Sequence, residues 1–511
     1  MKSTGEPLIG AIDAGTTGVR CVLHDEHARP VASAYREVPV TTPRPGWVEQ
    51  DPALILAATI ETLADVLGAP AARGRSIAAV GLANQRETVI AWDRKSGRAL
   101  HPAIVWQDRR TAARCDDLSG DEVQLIRGRT GLRPDPYFSA TKIEWLLQHV
   151  PVLGARAAAG TSLVSTVDAW LLRHLTGEHA TDDTNASRTM VFDIERREWD
   201  AELLGVFGIP RTCLPRVGRS LSMFGAIRSD LVGGRSVPLA GILGDQQAAL
   251  LGQGIATKGK AQATWGTGAF LLMDTGAARP PSRSGLIATV ARTGPGRTAS
   301  YALEGSVFVA GAAIQWLRDS LGLLRDAADS QALARSVHST EGVVFVPALA
   351  GLGAPYWDPD ARGLIVGITR GTRPAHVVRA ALESIAYQTH DVVRAMERDI
   401  GRPLEELRVG GRVAENDFLC QFQSDVLGIP VVRPRNPETT ALGAAYAAGI
   451  AVGLWDEADV VGRLWEAQRR FVPTLSVEQR DELVERWTRA VERSRRWDEG
   501  RDPTGQLKGS R

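Results

Sequence analysis

The chain has 511 residues, 44% of them hydrophobic and 23% charged, an ordinary globular composition with enough length for two large domains or three smaller ones. Lys and Arg number 60 against 59 for Asp and Glu, a net charge of +1, so neither nucleic acid nor an anionic membrane surface is expected as a principal partner. Cys21, Cys115, Cys213 and Cys420 are scattered and no secretory pattern is visible, so a reduced, cytoplasmic protein is expected.

Strand and helix signals alternate along the chain, predicting α/β layers. The first strand, Ile9 to Ile12, runs into Asp13-Ala14-Gly15-Thr16-Thr17-Gly18, and apolar Val22 and Leu23 follow. Backbone N–H groups in such a glycine turn form a nest for anions, and the threonines add hydroxyls. Asp13 adds an oxygen ligand suited to a largely hydrated magnesium ion. Asp51-Pro52 predicts a helix start with a capping carboxylate and a first-turn proline; Leu56, Ile60, Leu63 and Leu67 keep helical spacing behind it.

Val80 to Leu82 empties into Asn84-Gln85-Arg86-Glu87, and Ile104-Val105 into Trp106-Gln107-Asp108-Arg109. Arg86 and Glu87 supply a donor and an acceptor, as a polyol's hydroxyls require. Trp106, Tyr137 and Phe270 are candidates for flat walls against its carbons. Leu239 to Gly244 then ends in Asp245-Gln246-Gln247, ahead of the helix start Ala248-Ala249-Leu250. The carboxyl end of a buried strand opens into the ligand crevice of an α/β protein, so Asp245 is placed to accept a proton from a substrate hydroxyl.

A domain boundary is expected near Gly254, giving domains 1–254 and 255–497. Gly254 to Lys260 nearly matches a phosphate-binding P-loop, but Ala261 stands where a hydroxyl is needed, and a strand, not a helix, is predicted next. Ala263-Thr264-Trp265-Gly266-Thr267-Gly268-Ala269 repeats the first hairpin's grammar, which suggests two duplicated domains closing on one phosphate chain. Val343 to Trp357 is apolar but broken by Pro347, Pro355 and glycines, so it predicts no membrane span. A long helix is predicted from Thr372-Arg373-Pro374, with Leu382, Ile385, Met396 and Ile400 in period. Residues 498–511 read as a disordered tail.

The stretches PGWVEQDP, NQRETVIAW, AIVWQDRRT, DPYFSATK, DDTNASRTMVFDI, GDQQAALLGQ, ALEGSVFVAGAAIQWLRDS, GLGAPYWDPDARG and ALGAAYAAG resemble the FGGY carbohydrate kinase family, in its glycerol-phosphorylating branch, from about residue 8 to about 455. The resemblance implies two actin-like or ribonuclease-H-like domains with the active site between them, and ATP-dependent phosphorylation of glycerol to sn-glycerol 3-phosphate. It implies Arg86, Glu87, Tyr137, Asp245 and Gln246 on the glycerol hydroxyls, Trp106 and Phe270 as walls, and Asp245 as the base. With the two hairpins, it implies a nucleotide set of Thr16, Thr17, Arg20, Gly266, Thr267, Gly311, Gln315, Gly411, Arg412 and Asn416, and Mg2+ at Asp13 and Asp245. A homodimer or homotetramer is the assembly it implies.

One loop departs from the family pattern D-G-G-A-x-A-N-N. Here it reads Gly410-Gly411-Arg412-Val413-Ala414-Glu415-Asn416-Asp417. In one register Arg412 replaces a glycine beside the phosphates; in the other the glycine pair survives and Asp417 is extra. Either way the charge near the nucleotide changes, and altered ATP affinity is expected. Two alternatives follow: a related kinase for another small polyol or ketose, or a catalytically weakened glycerol-binding paralogue. The loop 229–236 resembles the family's sugar-bisphosphate inhibitor loop only loosely and has no histidine to phosphorylate.

Overall fold

The computed structural model describes residues 6–294, 296 and 299–498; apart from Asp498, the tail expected to be disordered lies outside the described residues. Strands before and after residue 254 sort into two main sheets. The first contains β1 (Leu8–Ala14), β2 (Gly18–His24), β3 (Pro30–Glu37), β4 (Ile77–Asn84), β5 (Met223–Ile227) and β6 (Val237–Gly244), in the order β5-β6-β4-β1-β2-β3. Strands β1, β4 and β6 are mutually parallel neighbours, whereas β2 and β3 return antiparallel. β1 and β4 read as near-continuous apolar runs because helices cover both faces of this sheet.

The second sheet contains β7 (Ala261–Trp265), β8 (Ala269–Gly276), β9 (Ile287–Thr293), β10 (Ala299–Val307), β11 (Leu407–Gly410), β12 (Val431–Pro434) and β13 (Ala467–Phe471), in the order β9-β10-β8-β7-β11-β12-β13. Its centre repeats the first sheet's plan: the hairpin β7–β8 is antiparallel, while β11 and β12 run parallel to β7. The echo between the two glycine-threonine turns therefore reflects equivalent positions in two sheets. Gly254 to Lys260 leads into β7 and not into a helix.

Helix α1 (Pro52–Gly68) starts where capping chemistry dictates, with the Asp51 carboxylate accepting from the Ala53 N–H at 2.8 Å. The lobes meet through two helices that each follow an equivalent strand: α2 (Asp245–Gly252) after β6 and, beyond β12, α5 (Thr439–Ala451). Between them in sequence lie α3 (Pro374–Ile400), the long helix expected from Thr372 onward, and α4 (Asp417–Leu427). Helix α5 packs on α2, β4, β6 and β1, so a helix from the second half of the chain completes the core of the first sheet. Its sequence, ALGAAYAAG, makes this approach feasible. A Cβ on Gly443 would overlap the Ala248 carbonyl, and one on Gly252 would overlap that of Thr439.

The strand expected at Ile104-Val105 is displaced by one residue: Ala103–Ile104 pairs, in a separate four-stranded sheet with residues 49–50, 89–93 and 162–166. That sheet still delivers Trp106 to the region where β1, β4 and β6 end, as the contacts below show.

Candidate active site

Asp13, Arg86 and Asp245 sit at or just beyond the carboxyl ends of neighbouring parallel strands inside the first sheet. Asp245 opens α2, and one carboxylate oxygen accepts from the Gln246 N–H at 2.7 Å and pairs with Arg86 Nε at 3.1 Å. Its side chain is 28% exposed, whereas that of Arg86 is 2% exposed, so the carboxylate lies on the lip of a buried polar pocket.

Arg86 and Glu87, the donor and the acceptor expected for a polyol's hydroxyls, are neighbours in sequence but not principal partners. They approach only to 3.9 Å, and each finds its principal partner elsewhere. Glu304, on β10 of the second sheet, accepts both terminal nitrogens of Arg86 at 2.6 and 3.0 Å. Arg188 joins the two carboxylates, donating to Glu87 at 2.6 Å and to Glu304 at 2.9 Å. The result is a closed chain, Arg86–Glu304–Arg188–Glu87, whose charges are almost wholly buried. Such a chain fixes side-chain positions, because a buried charge cannot leave its partners without a large desolvation cost. Glu87 also adopts a positive φ of 62°, held by the Ser139 hydroxyl donating to its carbonyl at 3.0 Å. Sequence reasoning missed Glu304 and Arg188. Both lie in motifs that carry the resemblance, ALEGSVFV and DDTNASRTM, and a carboxylate inside an apolar strand was the available signal.

The aromatic residues assemble as walls. Trp106 packs edge-on against Tyr137 at 5.6 Å and against Phe270 at 6.0 Å between ring centroids. Phe270 comes from β8 of the second sheet, so the pocket draws on both lobes. The indole N–H of Trp106 donates to the Thr16 hydroxyl at 2.9 Å, linking the wall to the first hairpin. Lys142 holds Tyr137 in place by donating to its carbonyl at 2.6 Å; burial pulls this amine down to about 8. Gln246 Oε1 is buried without a protein partner, which leaves it available to a ligand hydroxyl.

Burial raises Asp245 to about 6: Arg86 opposes the shift, while Glu87 and Glu304 add to it. Asp13 rises to about 7, first through burial and then through the charges of Asp245 and Glu438, with Arg20 pulling the other way. Glu304 behaves differently. Burial acts against its ionisation, but Arg188 and Arg86 outweigh it and hold the carboxyl below its ordinary range.

Both phosphate-turn candidates are tight hairpins. The Gly15 N–H donates to Gly18 O at 3.0 Å, and the Gly266 N–H to Gly268 O at 2.8 Å. Thr17 and Thr267 are exposed at the tips. The second turn is buttressed by the helix Gly311–Asp319, whose Gly311 N–H donates to Gly266 O at 2.9 Å; Gln315 lies exposed on that helix. Arg20, on β2, pairs with Glu438 at 3.2 Å.

The unusual loop resolves its own register. Gly411 has φ +81°, and a Cβ there would run into the Trp265 carbonyl, so Gly411 is the glycine packed against the second hairpin. Arg412 follows it on a short 3-10 turn and is exposed, as is Glu415, so neither side chain fills the space beside Gly411. Asn416 caps α4, accepting from the Leu419 N–H at 3.0 Å, and its amide nitrogen lies 3.4 Å from the Ser330 hydroxyl. A cavity of about 290 Å3 lies beside this loop, lined by Gly410, Gly411, Glu415, Arg433 and Arg435 among others.

Two lobes built on one plan, each presenting a glycine-threonine turn, with an acid at a strand end between them, define a phosphotransferase class. Residues 8–252 and 261–452 match, respectively, the N-terminal and C-terminal domains of the FGGY family of carbohydrate kinases. The chain belongs to that family and has its two-lobed, actin-like architecture. It is 52% identical over 490 residues, 95% of this chain and 98% of the relative, to a glycerol kinase of Aromatoleum aromaticum. Its fold superposes on a Plasmodium falciparum glycerol kinase with ADP at a TM-score of 0.89 and 34% identity, covering 96% of this chain and 98% of that one. A xylulose kinase from Brucella ovis matches at a TM-score of 0.83 and 27% identity, over 95% and 98% of the two chains.

Proposed function

We infer that the chain is an ATP-dependent glycerol kinase that forms sn-glycerol 3-phosphate. The observation that carries this reading is Asp245, held by Arg86 at the mouth of a buried polar pocket walled by Trp106, Tyr137 and Phe270. Arg86, Glu87, Tyr137 and Gln246 orient the triol. Asp245, raised to about 6, is ionised at neutral pH yet retains enough basicity to accept the proton of the attacking hydroxyl. The hairpin turns at Gly15–Gly18 and Gly266–Gly268, with Gly311 and Gly411 behind the second, hold the phosphate chain, and Thr16, Thr17, Arg20 and Thr267 supply further donors.

After burial, the charge of Asp245 helps to raise Asp13 to about 7, an unfavourable approach of two carboxylates that a divalent cation relieves. Among the described residues no cluster of three or more metal-ligating side chains occurs, which suits Mg2+ arriving with a nucleotide rather than sitting in a protein cage. When bound, the ion neutralises charge on the phosphates. Closure of the two domains on the site would exclude water from it.

The greater identity to a glycerol kinase than to the xylulose kinase favours a triol over a ketose. A reduced cytosolic enzyme, dimeric or tetrameric, is the accompanying proposal: its four cysteines are free, and no described helix is long and apolar enough to cross a membrane. The test is ADP release measured with and without glycerol, alongside a panel of polyols and ketoses. Asp245→Asn is expected to lose a factor of about 10² to 10⁴ in kcat while still binding glycerol. Near-normal turnover in that variant removes Asp245 from the role.

A further inference from the structure

A second cavity of about 290 Å3 lies where the C-terminal end of the helix Gly120–Thr130 meets residues 279–288 and Trp357. None of its lining residues belongs to the polar set of the cleft. It brings together four arginines, Arg127 and Arg133 from the first lobe and Arg279 and Arg283 from the second.

The carboxylates around it do not balance these charges. Glu195 approaches Arg279 at 3.4 Å but is 66% exposed. Asp135 faces Arg133 and is paired with Arg109 at 3.3 Å. Asp399 is occupied by the Ser282 hydroxyl and the Arg283 N–H. Arg133 shows the consequence. Its Nε is buried with no hydrogen-bond partner, and burial pulls the group below its ordinary range, with Asp135 opposing and Arg127 reinforcing the shift. An unpaired buried donor on a cation is costly, and guanidinium groups that outnumber the carboxylates near them are a fitting receptor for an oxyanion.

The site is also built rather than incidental. Arg279 donates to the carbonyls of Arg127 and Gly128 at 2.8 and 2.6 Å, and the Ala288 N–H donates to Gly131 O at 3.0 Å, so hydrogen bonds from both lobes form its frame. The Trp357 indole is pinned to Gly285 O at 2.5 Å and lies 4.6 Å from the Arg133 guanidinium, giving one flat apolar wall beside Leu132 and Leu286.

We propose that this cavity is a second ligand site, separate from the cleft, for a small organic phosphate: guanidinium groups take the phosphate and the Trp357 wall takes the carbon portion. The proposal does not depend on which substrate the cleft phosphorylates. Calorimetric titration of the full chain, with the cleft filled by glycerol and Mg-ADP, tests it using inorganic phosphate and phenyl phosphate as probes. Both are expected to bind, phenyl phosphate about tenfold more tightly, and Arg133→Gln and Arg283→Gln are each expected to weaken binding about tenfold or more. Arg283 is exposed, so its variant separates loss of the site from loss of the fold. Arg228→Gln, on an exposed loop of the first lobe, should leave binding unchanged. Equal affinities for the two probes overturn the assignment to an organic ester. Absence of binding, or binding unaltered in both arginine variants, overturns the site.

Discussion

Glu304→Gln is the substitution that most directly tests how the pocket is held. Glu304 is fully buried and carries three charge-assisted hydrogen bonds, two from Arg86 and one from Arg188. An amide keeps the shape but cannot accept from both arginines with both of its heavy atoms. Breaking a buried pair in this way costs about 3–5 kcal/mol of stability. The part felt by substrate is the loosening of Arg86; a hydrogen bond to a charged group is worth about 1.5–3 kcal/mol, which corresponds to a rise in KM for glycerol of roughly 10- to 150-fold. A second readout follows from charge. Glu304 contributes to the elevation of Asp245, so its neutralisation lowers the Asp245 pKa from about 6. The base must be ionised to act, so wild-type activity falls as pH drops through about 6, and the acid limb of the variant moves to lower pH. Steady-state kinetics against glycerol and ATP across pH measures both effects, with KM for ATP expected to change less than about twofold. Glu304→Asp keeps the charge and serves as the control for position. A folded Glu304→Gln enzyme with an unchanged KM for glycerol and an unmoved acid limb refutes the positioning argument.

Asp245→Asn should stabilise the protein at pH 8 while disabling it. A carboxyl raised from 3.8 in the unfolded chain to about 6 when folded is held least favourably above both values, so its penalty develops as pH rises from about 4 to about 6. The rise corresponds to at most about 3 kcal/mol, so Tm should increase at pH 8 and change little at pH 4; a lower Tm at pH 8 contradicts this. Arg412→Gln should raise KM for ATP no more than about fivefold at low salt, since an exposed charge contributes about 1 kcal/mol or less, and the difference should vanish at high salt. A much larger effect would place Arg412 inside the nucleotide site. Gly443→Ala should lower Tm by several degrees and reduce kcat, because its methyl meets the Ala248 backbone at the seam between the lobes. Unchanged melting would show that the helices can separate freely.

What was legible in the sequence is what local chemistry writes. The Gly15–Gly18 and Gly266–Gly268 turns, the Asp51 cap and the acid at the end of β6 depend on neighbours a few residues away, and each is where its local pattern implies. The charge chain is different. Arg86 finds Glu304 across 218 residues and Arg188 finds Glu304 across 116, distances over which no periodicity or spacing carries information. The local pattern marked Arg86 and Glu87 as a donor and an acceptor but not what holds them; with a positive φ at Glu87 they approach each other only to 3.9 Å. The same limit applies to ALGAAYAAG. Small residues announce close packing but not against what, and the answer, the first sheet, lies in the other half of the chain.

These long-range contacts also explain why the pocket belongs to neither lobe alone. Glu304 and Phe270 come from the second sheet, whereas Arg86, Glu87, Arg188, Trp106 and Tyr137 come from the first half of the chain. A charge chain whose members are divided in this way cannot be completed by one lobe, since separating Glu304 from its two arginines would strip that buried carboxylate of both ion pairs and leave Arg86 with Asp245 and Arg188 with Glu87 alone. The contact at Glu304 is therefore a fixed point of the assembly, and any closing motion must turn about it and the α2–α5 seam instead of pulling the pocket apart. Asp245, at the lip, is 28% exposed, whereas Glu87 and Glu304 are buried. The acids and bases that fix geometry are buried and paired, and the group assigned to the chemistry is the one whose ionisation the surroundings leave poised near neutrality.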